Sequence, residues 1–310
     1  EVPLGFTLQD CWRVVLASER TGRLYYLGEQ VRHSYVMCRW RQMVREGALG
    51  SILFAEGHYI HPMAADRYWR HSETGELLTW EQAARTDKRV KTRLWTIPHP
   101  ILYGPHEMSP LLKVLDDRVV KVACFSTGSP SKRLREAPFP GQFEEHPMPD
   151  MEVALMHTAR AAILRFAGCF SSPISETHWY HLFGTKGEVE TRRGSDETGF
   201  SYFFDRPVLN NHEYRVPRVR ETWQRPADPA SDPLVKAAAA TGHGGMDFGP
   251  LYDFVRCLLD GESPDIDVYQ AADTAAPCIL AAQSAEQGGA TLDVPDFRPG
   301  PDRAKGESPR

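Results

Sequence analysis

Two stretches with strand-like spacing of apolar residues constrain the fold more than any other feature of this sequence. The first, MEVALMHTARAAILRFAG, spans residues 151–168, and the second, HWYHLFGTKGEVETRR, spans residues 178–193. Each predicts successive strands, because the side chains of a strand point alternately to the two faces of a sheet. The Gly-Thr-Lys-Gly segment at 184–187 is typical of a hairpin turn. We therefore expect an antiparallel sheet in the centre of the chain.

Helical signals surround these strands. Thr7 and Asp10 predict a capped helix that ends at Gly22, and Ser34 predicts a second helix that ends at Gly47. Further helices are expected from near His106, at 245–259 and at 267–286, and further strands at 24–27, 51–61, 118–128 and 290–297. Loops are expected at 62–98, 128–150 and 205–235, and the first of them should contain a short helix from Thr79. This order predicts an α+β fold, a mostly antiparallel open-faced sheet with helices on one face.

Composition argues against several classes of function. The net charge of −5 and the pI near 6.2 provide no basic footprint for nucleic acid or for an anionic membrane surface. No apolar run approaches the ~20 residues that a membrane helix needs. The six cysteines have no CxxC spacing, which predicts neither a zinc site nor a disulfide framework. That pattern suits a reducing compartment, so we expect a cytoplasmic protein.

The twelve histidines do not form a metal-binding motif. Neither HxH nor HExxH spacing occurs in the sequence. His178 and His181 stand three residues apart on a predicted strand, so their side chains should point to opposite faces of the sheet. We therefore expect no metal site.

The segment YGPHEMSP, residues 103–110, places Tyr103 and His106 three residues apart where a loop turns into a helix. Such a pair can pack a core, bind a metal or move a proton on a substrate. Tyrosine titrates near ~10 and histidine near ~6.5, so the two rings could share the proton of one substrate hydroxyl. The residues alone leave helix capping and packing at the edge of the core as alternatives.

Other candidate site residues are equally open to two interpretations. Tyr59 and His61 lie on one face of a predicted strand, where they could line a pocket or pack against aromatic neighbours across the sheet. His243 and Asp247 stand four residues apart at a helix start, which by itself predicts a cap. Glu29 is a strand-end acid that could be exposed or could border a pocket.

Several motifs, taken in order, resemble the Gfo/Idh/MocA oxidoreductases, and within them the NAD-dependent glycoside hydrolase family 109 branch. EGHYIHP at 56–62 is similar to the family motif EGxYxHD, with Pro62 where the family has aspartate, and YGPHEMSP is similar to YPTHxxGP. The other similar segments are EVPLGFTLQDCW at 1–12, GEQVRHSY at 28–35, GHGGMDF at 242–248, DIDVYQAADTAAP at 265–277 and VPDF at 294–297.

The resemblance implies a domain organisation and a cofactor. Residues 1–33 are expected to be the C-terminal remnant of a Rossmann-type nucleotide-binding domain, and 34–297 the substrate and oligomerisation domain, followed by a disordered tail at 298–310. The rest of the Rossmann domain is expected to be missing, and no GxGxxG phosphate loop occurs in the sequence. NAD or NADP binding would therefore require that missing domain, and a homo-oligomer is expected.

The resemblance also implies a reaction and its residues. Family dehydrogenases use a lysine where this chain has Val2, so the glycosidase-like reaction is expected: transient oxidation of a ring hydroxyl of a sugar or glycoside, then elimination and hydration. The implied catalytic residues are Tyr103 and His106; the implied substrate-binding residues are Tyr59, His61, His243 and Asp247; the implied cofactor-binding residues are Glu1, Pro3 and Glu29. The alternative is a non-catalytic assembly or sugar-binding module with the same fold.

Overall fold

The computed structural model describes the parts of the chain that form the sheet, the helices around it and the candidate site. These are residues 2–61, 69–71, 74, 76–78, 82, 90–91, 99–130, 149–172, 178–193, 195–204, 218–224, 233–301 and 303–308. Glu1, Pro62 and the helix start expected at Thr79 lie outside the described residues.

Twelve strands are present in this described part of the chain. In chain order they are β1 (Ile52–Ile60), β2 (Trp69–His71), β3 (Leu77–Leu78), β4 (Val90–Lys91), β5 (Val119–Ser126), β6 (Met151–Thr158), β7 (Ile163–Cys169), β8 (Trp179–Gly184), β9 (Gly187–Arg192), β10 (Ser195–Phe204), β11 (Arg218–Gln224) and β12 (Leu292–Asp293). Nine of them form one sheet in the order β11-β10-β9-β8-β1-β7-β6-β5-β12, and the other three form a small sheet in the order β3-β2-β4.

The large sheet is mostly antiparallel, as predicted. Among the described strands, β1 pairs in parallel with β7, and the remaining neighbours are antiparallel. The two stretches that predicted strand pairs form β6 with β7 and β8 with β9, and Thr185 and Lys186 connect the second pair. β1 lies between these two hairpins and is the central strand of the nine.

Six α-helices accompany the strands in the described residues. They are α1 (Leu8–Thr21), α2 (Tyr35–Arg45), α3 (Pro105–Leu115), α4 (Pro233–Ala239), α5 (Phe248–Asp260) and α6 (Val268–Glu286). The predicted starts of the first two are confirmed, since Thr7 Oγ1 accepts the Asp10 N–H at 3.0 Å and Ser34 Oγ accepts the Met37 N–H at 3.3 Å. Gly22 ends α1 with φ +64°, in the region that favours glycine. None of the helices described here is both long and apolar enough to cross a membrane.

Several local predictions were wrong, among them the loop at 62–98, within which β2, β3 and β4 form the small sheet. Residues 24–27 form no strand, and Leu27 instead packs with Val2 and other apolar side chains. Residues 218–224, predicted as loop, pair with β10 and form the edge strand β11. The local sequence does not reveal this pairing. The last strand is only two residues long, and Pro295 just beyond it has no N–H with which to extend the ladder.

The core lies between one face of the sheet and helices α3 and α6. Most residues of both helices are buried, although α3 was recognised in sequence mainly from its start. Two glycines allow the close approach: a Cβ on Gly57 of β1 would lie 2.9 Å from Glu107 Cβ, and one on Gly104 would lie 2.5 Å from Phe166 Cε1. The opposite face of the sheet is open. Its exposed apolar side chains are Phe125, Leu155, Ile163 and Phe183.

The segment expected to be a disordered tail is packed against the fold. Arg303 is only 7% exposed, and its guanidinium donates to both carboxylate oxygens of Glu19 on α1, at 2.7 and 2.8 Å. Arg298 pairs with Asp273 of α6. The hydrogen bond from Arg303 lowers the pKa of Glu19 to about 2. The described residues beyond 297 therefore belong to the fold, because buried ion pairs offset the polar composition that suggested disorder.

Candidate functional site

The predicted pair Tyr103 and His106 meets at the corner where a short 3₁₀ turn, Pro100–Tyr103, passes into α3. Their ring centroids are 4.9 Å apart, and the ring planes are inclined by 60°. Tyr103 is half-buried and His106 is buried. The sequence spacing thus brings the two proton-carrying rings together as expected.

Tyr59 on β1 lies at the centre of the aromatic side chains. Its ring centroid is 5.1 Å from that of Tyr103, 5.8 Å from His106 and 5.9 Å from His61. Tyr59 and His61 share the helix-facing side of the sheet, which agrees with the predicted strand periodicity. We call the following set the Tyr59 cluster: Tyr59, His61, Tyr103, His106, Phe170 and His178.

The carboxylate of Glu29 lies within hydrogen-bond distance of the His106 imidazole. Its side chain is completely buried, and Oε1 lies 3.1 Å from His106 Nδ1 while also accepting the Val31 N–H at 2.8 Å. Oε2 accepts the Arg32 N–H at 3.1 Å. Burial raises the pKa of Glu29, but the bonds from His106 and the two amides outweigh burial and lower it overall. Glu29, predicted to bind the cofactor, thus lies within hydrogen-bond distance of an imidazole.

The backbone that carries these amides is itself fixed by Arg32. The Arg32 guanidinium donates to Ser109 Oγ on α3 at 2.9 Å, and to Asp265 Oδ2, three residues before α6, at 2.8 Å. Lys113 of α3 also pairs with Asp265 at 2.8 Å. The turn at Val31–His33 is thus joined to α3 and to the segment that precedes α6.

A second imidazole–carboxylate pair was missed by the sequence analysis. His178 Nδ1 lies 2.9 Å from Glu107 Oε1, and the His178 ring is 5.3 Å from Tyr59 and 5.7 Å from His106. Glu107 is 0% exposed, and burial raises its pKa well above the usual range. The sequence had placed His178 on a strand, whereas it precedes β8 and has φ +59°. The position of Glu107 directly after His106 was the one available signal.

The other predicted site residues are His243, Asp247, Pro3 and His61, and only His61 belongs to the Tyr59 cluster. His243 and Asp247 pair with each other, with 2.8 Å between Nδ1 and Oδ1, and both side chains are substantially exposed. Pro3 follows a cis peptide bond beside the buried Val2. Burial and the charge of His178 lower the pKa of His61, so its neutral form is favoured.

The described residues do not fit a dinucleotide by themselves. A pyrophosphate needs backbone amides of a glycine-rich loop between a strand and a helix. No such loop joins a strand to a helix within the ranges given above; GHGG at 242–245 instead follows α4. The Glu29 side chain is completely buried, and both of its oxygens already accept hydrogen bonds from the protein.

Two other groupings of charged residues do not form a comparable site. A cavity of about 250 Å³ lies at the far end of α3, and six cationic side chains line it: Arg32, Arg41, Lys113, Arg118, Arg160 and Arg298. Each of them lies within ion-pair distance of an aspartate, and Arg32, Arg41 and Lys113 share Asp265, so the aspartates offset part of the positive charge. Potential metal-ligand atoms of His33, Asp253 and Asp265 lie within 4.8 Å of one another. Because Arg32 and Lys113 bind Asp265, an ion-pair network is favoured there.

The family of the chain follows from a sequence match over most of its length. The family model described as Glycosyl hydrolase 109, C-terminal domain, matches residues 34–302. The chain belongs to glycosyl hydrolase family 109. The predicted resemblance to this branch of the Gfo/Idh/MocA oxidoreductases is thereby confirmed, and with it a sugar-acting enzyme family.

Family 109 relatives extend beyond this chain. A Glycosyl hydrolase family 109 protein of Solibacter usitatus is 28% identical over 309 residues, which cover 97% of the chain and 65% of the relative. An Alpha-N-acetylgalactosaminidase of Shewanella oneidensis is 25% identical and is covered to 64%. The chain thus spans slightly less than two thirds of the length of these relatives.

Solved structures support the fold of this family 109 chain. Levoglucosan dehydrogenase in complex with NADH and L-sorbose has a TM-score of 0.68 at 16% identity, with 95% of this chain and 72% of that one covered. An inositol dehydrogenase homolog from Azotobacter vinelandii, complexed with NADH and myo-inositol, has a TM-score of 0.61 at 16% identity, with 94% and 70% covered. At these identities the likeness concerns the fold alone.

Proposed function

We propose that this chain is the sugar-binding and proton-transferring part of a family 109 enzyme that acts on a glycoside by transient oxidation of a ring hydroxyl. The observation that carries the proposal is that the rings of Tyr103 and His106 contact each other and Tyr59, while Glu29 lies 3.1 Å from His106 Nδ1. The relatives named above include an Alpha-N-acetylgalactosaminidase and NADH-bound sugar oxidoreductases. An N-acetylhexosaminide and an NAD or NADP cofactor bound outside the described residues are the first candidates.

The contribution of the described residues is proton transfer at a hydroxyl. When a hydroxyl carbon is oxidised, the hydroxyl proton must pass to a base. Tyr103 is the more exposed member of the pair and contacts the substrate hydroxyl. His106 lies beside it and takes up the proton, so that the positive charge develops on its imidazole. The carboxylate of Glu29 offsets that charge in a buried setting, as a carboxylate does behind a catalytic histidine elsewhere.

The test uses the full-length protein and nitrophenyl glycosides, with and without NAD or NADP. Turnover should depend on the dinucleotide, and Tyr103→Phe or His106→Ala should lower kcat by about 10²-fold or more, the usual worth of general acid–base catalysis. His157→Ala, at an exposed histidine of β6, is the matched control and should keep full activity. Unchanged turnover in both site variants, with cofactor binding retained, would refute the assignment.

A non-catalytic assembly function is the second candidate, and the open face of the sheet favours it. Phe125 is 67% exposed there and Leu155 is 54% exposed, beside Ile163 and Phe183. An apolar area of this kind is typical of an interface between subunits. A folded homo-oligomer that binds sugar but shows no turnover with any dinucleotide would support this candidate over the enzyme.

A further inference from the structure

The reaction proposed above needs a second proton transfer, and the present inference rests on that proposed function. Once a ring hydroxyl has become a ketone, the hydrogen on the neighbouring carbon is acidic and must leave as a proton before the aglycone departs. The base that holds the hydroxyl proton is then occupied, so a different group must take the proton from carbon. The site should therefore contain two separate acid–base groups.

The structure places two imidazoles with buried carboxylates against Tyr59. His106 is backed by Glu29, and His178 is backed by Glu107 at 2.9 Å. The two imidazole centroids are 5.7 Å apart and the ring planes are inclined by 67°, so the two rings are close enough for each to face a different atom of one bound sugar.

His61 is the third imidazole of the Tyr59 cluster, and it lacks this support. Its Nδ1 is buried without a hydrogen-bond partner among the described residues. An imidazole that accepts a proton in a buried site becomes a cation, and it needs a counter-charge nearby. Glu107 lies 2.9 Å from His178 Nδ1 and can hold that imidazole as it takes up a proton, whereas His61 Nδ1 has no such partner among the described residues.

Two further observations mark the Glu107–His178 pair as functional. Glu107 Oε2 is buried and has no hydrogen-bond partner within the described ranges, a costly arrangement for a group that serves packing alone. His178 has φ +59°, a backbone conformation that residues other than glycine adopt rarely and that occurs in turns and at functional sites. Gly57 of β1 leaves the space that Glu107 occupies.

We propose that His178 is the acid–base group for the carbon next to the ketone, and that Glu107 is the positioning residue that holds its imidazole. In the step, the C–H bond breaks, the proton moves to His178, and the electron pair forms a carbon–carbon double bond as the bond to the aglycone oxygen breaks. The aglycone leaves with that last electron pair. No oxidant or reductant is consumed, and water addition reverses the step while His178 returns the proton to carbon.

An activity independent of the dinucleotide follows from this assignment. A glycoside that already carries the ketone needs no oxidation, so the protein should eliminate its aglycone without added NAD or NADP. In D₂O the same site should place deuterium on the carbon between the ketone and the anomeric centre. Neither readout requires hydride transfer.

The experiment uses 4-nitrophenyl 3-keto-glucoside with the full-length protein and no added dinucleotide. Nitrophenolate release and deuterium uptake are both measured against the uncatalysed rate. His178→Ala and His178→Gln should lower both by about 100-fold or more, and Glu107→Gln by about 10-fold or more. Added imidazole should restore part of the rate to His178→Ala. His157→Ala should match the wild type, and urea unfolding of each variant verifies that it is folded.

The outcomes separate this inference from the proposed function. If His178→Ala and His178→Gln are folded and keep the wild-type rates on the keto-glucoside, His178 is not the group and the inference is overturned. A wild-type protein with no rate above background also overturns it. The proposed function is judged independently on intact nitrophenyl glycosides with NAD or NADP, where Tyr103→Phe and His106→Ala are decisive.

Discussion

Replacement of Glu29 by glutamine tests how the candidate site is held together. In the wild type the carboxylate accepts three hydrogen bonds in a completely buried position: from Val31 N–H, from Arg32 N–H and at His106 Nδ1. The glutamine amide has the same shape, but its NH₂ group donates and therefore faces a donor instead of accepting from it. At least one of the three bonds must be lost.

The size of the effect follows from this count. A hydrogen bond to a charged group contributes about 1.5–3 kcal/mol, and a buried donor left unsatisfied costs a similar amount. One or two lost bonds therefore predict that Glu29→Gln lowers the free energy of unfolding by about 2–4 kcal/mol near neutral pH. Glu46→Gln, at an exposed position after α2, is the matched control and should stay within about 0.5 kcal/mol of the wild type.

The pH dependence adds a sign to this prediction. The pKa of Glu29 is lowered in the folded state, so its contribution is present above the unfolded-state pKa and is lost as pH falls through the folded value. Urea unfolding as a function of pH should show the gap between wild type and Glu29→Gln at its full size above about pH 5 and smaller below about pH 4. A gap that stays constant, or that grows on acidification, would refute the reasoning.

Three further perturbations have defined outcomes. Gly57→Ala should displace the Glu107 side chain, because its Cβ would lie 2.9 Å from Glu107 Cβ, and should lower activity on glycosides while thermal unfolding shifts down by a few degrees; unchanged activity would contradict the packing argument. Glu19→Gln should lower the free energy of unfolding by about 3 kcal/mol at neutral pH, measured by urea unfolding, because it breaks the buried pair with Arg303. This difference should disappear as pH falls from 4.5 to about 2, where Glu19 becomes protonated in the folded protein. Equal stability at pH 7 would contradict the pairing. Leu155→Asp on the open face should shift sedimentation toward the monomer without unfolding the protein; an unchanged sedimentation coefficient would contradict use of that face as an interface.

The sequence predicted the fold wherever one stretch of chain carried its own signal. The caps at Thr7 and Ser34 and the hairpin at 184–187 depend on neighbours within a few residues, and these predictions were confirmed. Strand β11 depends on pairing with β10, and residues 24–27 lack such a partner, so local pattern misjudged both. Pairing across the sheet is a property of the folded chain, and the alternation of side chains does not encode it.

The candidate site shows the same division. Tyr103 with His106, and Tyr59 with His61, were found because their spacing fits one helix turn or one strand face. The two imidazole–carboxylate contacts, Glu29 with His106 and Glu107 with His178, were not predicted. Glu29 and His178 reach their partners across separations of 77 and 71 residues, and Glu107 resembles any polar residue at the start of a helix. Buried acid–base pairs of this type are visible only after the chain has folded.

The side chain of Arg32 has a consequence for how this protein tolerates change. One guanidinium fixes both Ser109 and Asp265, while the amide of the same residue restrains the acid that orients His106. A lysine there carries the same charge but presents a single ammonium, which cannot span two anchors in different directions. Arg32→Lys would thus loosen the hold on Glu29 and, through it, on His106, although the substitution keeps the charge.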